Sequence, residues 1–311
     1  MMMKPVRHLV SMSDFSEEEI NGLIDLARKL RVEWRSGIPR HTLASKTLAM
    51  VFEKPSLRTR VTFESGMTQL GGHAIYLAPG DIQIGKREPV ADVARNLSRW
   101  VQGIMARTYS HDTVAGLAEH AAVPVINALS DLEHPCQALA LAMAIRDRRE
   151  LRGTHVVFVG DGNNVAHSIM LLCAITGMRF TISCPAGYEP SEVIREKCRE
   201  LRGTCAIVDE PETAVRDADV IYTDVWASMG QEAETETRRA AFSRYQVNEA
   251  LLRSAPEHAV VSHCLPAHRG EEITSEVLDS ARCIAFDEAE NRLHVQKAVL
   301  LFLLGGESVG D

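Results

Sequence analysis

The sequence has no apolar run near the ~18–20 residues that cross a bilayer. Its longest apolar stretches, 169–178 and 299–304, read as core. The two basic residues among the first seven have no apolar stretch behind them, so no signal peptide is expected there. The seven cysteines, at 136, 173, 184, 198, 205, 264 and 283, include no Cys-x-x-Cys pair. An odd set of this kind fits reduced thiols in a cytoplasmic protein. Lysine and arginine fall short of the acids, 34 against 42, and the net charge of −8 argues against nucleic acid or a membrane surface as partner. Internal repeats and low-complexity tracts are absent as well. What remains is a chain of 311 residues, 45% hydrophobic and 24% charged, with the balance of a soluble globular protein. At roughly 100–200 residues per domain it has room for two.

The pattern along the chain is a short apolar run, a turn and an amphipathic helix, repeated. Strands are expected at 48–52, 74–77, 103–107, 123–128, 156–160, 180–184, 205–208, 220–225, 260–265 and 284–286. Most are continuous Val/Ile/Ala-rich runs, as in parallel strands buried on both faces. Ser16 and Glu19 form a capping box before the spaced apolar residues Ile20, Leu23, Ile24, Ala27 and Leu30. Further helices are expected at 58–70, closed by Gly71-Gly72, and at 90–101, 113–121, 136–150, 164–176, 191–202 and 290–304. This alternation predicts an α/β protein of two doubly wound domains, each with a central, mostly parallel sheet flanked by helices. The polar end of the helix 136–150 and Gly153 place the junction there, giving domains 1–150 and 151–311, with the last helix crossing back toward the first. In such sheets ligands bind beyond the carboxyl ends of the strands.

Several constellations fall at those ends. Ser56-Leu57-Arg58-Thr59-Arg60 follows a strand and opens a helix, where N–H groups, two hydroxyls and two guanidinium groups make an oxyanion cradle. Arginines at a helix N-terminus oppose the dipole, a poor choice unless an anion binds. Arg107 ends the third strand. His134-Pro135-Cys136-Gln137 offers a donor for a carbonyl oxygen and an amide for a carbonyl or NH2 group. Gly160-Asp161-Gly162-Asn163-Asn164 partly resembles a dinucleotide fingerprint, but its third glycine position does not fit, and its amides suit a carboxylate equally well. Asp224 and Ser228 could pair with an ammonium and a carboxylate. His263-Cys264-Leu265-Pro266-Ala267-His268 invites zinc, yet its spacing is wrong for a closed structural site and no second cysteine is near. No metal and no cofactor is expected. Gly306-Glu307-Ser308-Val309-Gly310 has the hydrolase spacing but no strand-turn-helix around it.

Taken together, Ser56–Arg60, His134–Gln137, Asp224 with Ser228-Met229-Gly230, His263–Pro266 and Glu290-Asn291-Arg292 resemble the aspartate/ornithine carbamoyltransferase family, from about residue 11 to 304. The Asp-x-x-x-Ser-Met-Gly and His-Cys-Leu-Pro motifs point to its ornithine branch. The resemblance implies transfer of the carbamoyl group of carbamoyl phosphate to L-ornithine, giving L-citrulline and phosphate, in a homotrimer or a multiple of trimers. It implies that Ser56, Leu57 (through its N–H), Arg58 and Thr59 hold phosphate, and that Arg107 and His134 contact the carbamoyl oxygen. Gln137 would contact the carbamoyl NH2, with Pro135 and Cys136 beside it. By the same resemblance Gln83 reaches a neighbouring subunit's site, and Asn164, Asp224, Ser228 and Met229 hold ornithine. Cys264 and Leu265 flank the reacting groups, and Arg292 closes the site.

The chemistry agrees with those assignments. An amine attacking a carbonyl carbon with loss of phosphate needs a polarised carbonyl, fixed positive charge and a neutral amine. Arg58, Arg107, His134, Gln137, Asp224 and Cys264 are the candidate catalytic groups, Cys264 as a proton acceptor or relay. Three positions depart from the family: Leu57 where threonine is usual, Leu141, one turn beyond Gln137, where an acid is usual, and Ala144, where threonine is common and the loss is milder. Three alternatives stay open: the same chemistry on another amine, a nicotinamide-dependent dehydrogenase resting on 160–166, and a binding paralogue impaired by Leu141.

Overall fold

A computed structural model describes residues 6–227 and 234–309. The chain falls into two compact units, Met1–Met143 with Glu290–Asp311, and Ala144–Ala289.

The first unit holds a four-stranded sheet of β1 (Thr47–Phe52), β2 (His73–Leu77), β3 (Gly103–Arg107) and β4 (Val125–Leu129), in the order β2-β1-β3-β4. Every pairing is parallel. All five residues of β3 are buried, which explains its unbroken apolar reading, whereas edge strand β2 is buried at none of its five positions. The capping box forms as expected. Ser16 Oγ accepts from Glu19 N–H at 3.2 Å, and Glu19 Oε2 accepts from Ser16 N–H at 3.0 Å.

The second unit holds β5 (His155–Val159), β6 (Arg179–Ser183), β7 (Cys205–Ile207), β8 (Val220–Thr223) and β9 (Val260–His263), in the order β7-β6-β5-β8-β9, again all parallel. The order reverses beside β5, the place where a doubly wound sheet opens a crevice. The expected strand at 284–286 does not form. Cys283 makes one bridge to Val261, and the chain turns at once into the helix Ala285–Leu300. The apolar run that mimicked a strand leads into that helix with Ile284 and Ala285 buried and Phe286 exposed, and Asp287 and Glu288 suit its N-terminal dipole. Helix Thr235–Phe242 lacks an apolar period that would mark it in the sequence; its apolar residues, Ala240, Ala241 and Phe242, gather at its end.

Among the described residues, no helix is long and apolar enough to cross a membrane.

Candidate active site

In the first unit, the residues after β1, β3 and β4 converge. Ser56 is the N-cap of the helix Leu57–Gln69, its Oγ accepting from Thr59 N–H at 3.2 Å. The cap leaves the Ser56 hydroxyl hydrogen and the first N–H groups to an anion. Leu57 is 75% exposed, so its side chain leaves this cradle to its backbone. Of the two expected guanidinium groups, only Arg58 remains. Arg60 is exposed, ion-paired with Glu64 at 3.0 Å and stacked over Tyr76 at 3.8 Å. The four-residue spacing to Glu64 accounts for its turning away.

Arg107 pairs with Phe52 across β1 and β3, and the β3–β4 register shifts between Ala106 and Arg107. Such an irregularity re-aims a side chain at the end of a strand. His134 is buried just before the helix Pro135–Arg146, where Pro135 takes the first helical position. Its imidazole is held well below the usual range near 6.5, chiefly by burial and then by Arg292, Arg107 and Arg58. Three guanidinium groups therefore act on one neutral imidazole, which can donate a hydrogen bond without carrying charge.

Arg292 comes from the last helix. It donates through Nη1 to Gln137 Oε1 and through Nη2 to Thr59 Oγ1 at 3.3 Å. Cys136 turns inward: its thiol contacts the Asn127 carbonyl at 3.8 Å, and burial pushes its pKa up to about 11. Gln83 is exposed and left-handed, with φ of 50°. Leu141 is fully buried in an apolar helix.

In the second unit, the loop after β5 meets the ends of β8 and β9. Asn163 ties this loop to the end of β8. Its Oδ1 caps the helix Asn164–Thr176 by accepting from Val165 and Ala166 N–H at 3.0 and 3.1 Å, and its Nδ2 donates to Asp224 Oδ2 at 2.8 Å. Asp224 Oδ1 accepts from Cys264 Sγ and from Val225 N–H, both at 2.7 Å. Asp161 pairs with Arg238 at 2.9 Å, but burial outweighs that partner and lifts its carboxyl to about 6.

The Cys264 loop is held from behind. His263 Nδ1 accepts from Leu265 N–H at 2.8 Å, so the ring proton sits on Nε2, which faces Glu272 Oε1 at 3.0 Å. The same carboxylate oxygen accepts from His268 N–H at 2.6 Å. Leu265 itself is left-handed, with φ of 57°. Asp224, His263 and Cys264 offer ligand atoms within 4.8 Å of one another. Both His263 nitrogens are already engaged, however, so this trio does not present the donor set a metal needs. Ser228, Met229 and Gly230 lie outside the described residues.

The dinucleotide reading of this loop fails on packing. A Cβ at Gly162 would lie 2.3 Å from Pro190 N, 2.4 Å from the Glu189 carbonyl carbon and 2.7 Å from Tyr188 O. The close approach that a pyrophosphate needs is taken by the protein's own backbone. Gly162→Ala is expected to cost about 1–3 kcal/mol through the forced backbone shift. In thermal unfolding that is a loss of several degrees; an unchanged midpoint would show that the contact is slack.

Three residues here escaped the sequence reading. Asn163 was findable, because an asparagine before a helix is a standard cap. His263 was marked as part of a motif but not as the brace of Leu265. Glu272 sits beside Glu271 with nothing local to single it out.

Comparison with known proteins matches the description "Aspartate/ornithine carbamoyltransferase, carbamoyl-P binding domain" to residues 7–147, and "Aspartate/ornithine carbamoyltransferase, Asp/Orn binding domain" to residues 152–303. A relative from Archaeoglobus fulgidus, named ornithine carbamoyltransferase, is 50% identical over 97% of this chain and 99% of its own. One from Pyrococcus furiosus, named as the anabolic form, is 50% identical over 96% of this chain and 97% of its own. A solved ornithine carbamoyltransferase from P. furiosus superposes with a TM-score of 0.93 at 48% identity, covering 99% of this chain and 100% of that one. The Thermus thermophilus structure gives 0.86 at 43% identity, covering 97% and 100%.

Proposed function

This chain belongs to the aspartate/ornithine carbamoyltransferase family, and from that premise we propose that it carbamoylates the side-chain amine of L-ornithine with carbamoyl phosphate, in the direction of citrulline and arginine synthesis. The observation that carries this reading is the buried His134 beside Arg292, which bridges Gln137 and Thr59, with burial and the three arginines holding the imidazole toward the neutral form. A positive pocket with an uncharged donor suits a phosphorylated carbonyl.

In this reading, Ser56, the Leu57 N–H, Arg58, Thr59 and Arg292 hold the phosphate. Arg107 and His134 stabilise the carbonyl oxygen as it gains charge. Gln137 Oε1 keeps a second lone pair for the carbamoyl NH2 after accepting from Arg292. That contact also answers the departure at Leu141, since Arg292 already orients Gln137.

Ornithine enters as an ammonium of pKa about 10.4 and must lose a proton before it attacks. Desolvation lowers that pKa. The Asp224–Cys264 pair is the acceptor proposed beside it, with Asn164, Ser228 and Met229 on the amino-acid end and Leu265 against the carbamoyl group. The new N–C bond forms as the C–O bond to phosphate breaks, and the departing phosphate carries the electron pair. Positioning of the two substrates supplies much of the rate.

The protein is proposed to work in the cytoplasm as a homotrimer or a multiple of trimers. Leu57, Val61 and Ile75 are exposed large apolar residues on the cradle helix and edge strand β2, in keeping with a covered face. In that assembly Gln83 would reach the neighbouring site.

The deciding experiment is a ureido-product assay with carbamoyl phosphate and each of ornithine, putrescine, N-acetylornithine and aspartate. Citrulline from ornithine alone is expected. Product with another amine would move the substrate, and no product from folded protein would favour the binding paralogue.

A further inference from the structure

The last helix brings a second polar side chain to the cradle, one that no motif marks. Gln296 is fully buried, one turn beyond Arg292. Its amide satisfies both ends in one orientation. Oε1 then accepts from Arg292 Nη2 at 3.0 Å and Nε at 3.2 Å, and Nε2 donates to Thr62 Oγ1 at 2.6 Å. Thr62 in turn donates its hydroxyl hydrogen to the Arg58 carbonyl at 2.6 Å. Arg292 Nη1 meanwhile donates to Gln137.

A guanidinium is a planar fork with donors in fixed directions. Gln296 on its Nε edge and Gln137 on Nη1 fix both the plane and the rotation of Arg292. Through Thr62 the same amide is tied to the first turn of the cradle helix, at Arg58. Its neutrality matters: a carboxylate here would hold Arg292 as firmly but cancel its charge, whereas an amide leaves the positive charge to act on an anion.

We infer that Gln296 is a positioning residue for carbamoyl phosphate, setting Arg292 and, through Thr62, the Arg58 turn. The inference rests on the carbamoyl-transfer reading of this site. Among the described residues, it assigns a function to a side chain eight helix positions past Glu288 that touches no substrate itself.

The test uses the full chain in its own oligomeric state, with inorganic phosphate in calorimetry and both substrates in steady-state kinetics. Gln296→Met keeps the length of the side chain and removes all three hydrogen bonds. Loss of a hydrogen bond to a charged group should raise the phosphate Kd and the carbamoyl phosphate KM by about tenfold. The ornithine KM should stay within about twofold. In an Arg292→Lys background, which has neither Nε nor the fork, the same change should add less than about twofold.

A role in packing alone would give the same loss in both backgrounds, and that result overturns the inference, as does an unchanged phosphate Kd. Should Gln296→Met fail to fold, Thr62→Val cuts the relay at its far end. It should raise the phosphate Kd by about threefold, and no change there overturns the inference equally. Wild-type protein that binds phosphate but makes no citrulline defeats the carbamoyl-transfer reading, while the phosphate titration still decides the part played by Gln296. Wild type that binds no phosphate defeats both.

Discussion

Asp224→Asn is expected to lower kcat/KM for ornithine by about 10³-fold, with folding largely intact. Asp224 is buried and accepts on both oxygens, from Asn163 Nδ2 on one and from Cys264 and Val225 on the other. An amide offers one oxygen. In either orientation its NH2 meets a donor, Asn163 on one side or the Val225 N–H and Cys264 thiol on the other. The substitution therefore disorders the pair proposed to face the attacking amine and removes the negative charge that would favour an ammonium there. Kinetics with ornithine varied at saturating carbamoyl phosphate would read the effect. A loss below about tenfold would mean that Asp224 braces the loop without assisting the amine.

His134→Leu is expected to reduce kcat by about 10²–10³-fold, the usual cost of removing one donor to a developing oxyanion. Ornithine binding should be little changed. The pH behaviour distinguishes this donor from a general base. Burial and the three arginines keep the imidazole neutral, so its resonances should not titrate between about pH 6 and 8. An imidazole that titrates near pH 6.5 in the folded protein would contradict the assignment.

The same depression has a consequence for stability. The folded pKa lies below the unfolded value, so the unfolded chain binds the proton first as pH falls. Its contribution is fully present above about pH 6.5 and is lost as pH drops toward the folded pKa. His8 and His111 are lowered by burial too, and His294 falls to about 4, so they act in the same direction. The wild-type melting temperature should therefore fall between pH 7 and 5 more steeply than that of His134→Leu.

The parallel sheets were legible because strands buried on both faces read as unbroken apolar runs, as in β3 and β5. The cradle was legible because arginines at a helix start make little local sense without an anion. The start of the last helix was not legible, since Cys283-Ile284-Ala285-Phe286 has the length and polarity of a strand and lacks a period. Arg60 was misplaced because a motif records neighbours in sequence, while Glu64 and Tyr76 compete for the side chain in space. Glu272 and Gln296 stayed hidden for a related reason. Glu272 matters through a buried partner in another element, His263, and Gln296 joins Arg292, one turn back on its own helix, to Thr62 on the cradle helix, and no local pattern encodes a link between elements.

The helix Ala285–Leu300 begins in the second unit and continues in the first, where Glu290–Asp311 belongs with Met1–Met143. On the ribosome this sets an order of events. When residue 143 emerges, the nascent first unit has its four strands but lacks Arg292 and Gln296. It also lacks Leu304, whose side chain packs where a Cβ on Gly103 would stand. Its anion cradle is completed by residues translated after the whole of the second unit. Phosphate can therefore stabilise the first unit fully only after release of that last helix, and a fragment ending near residue 143 would lack that stabilisation.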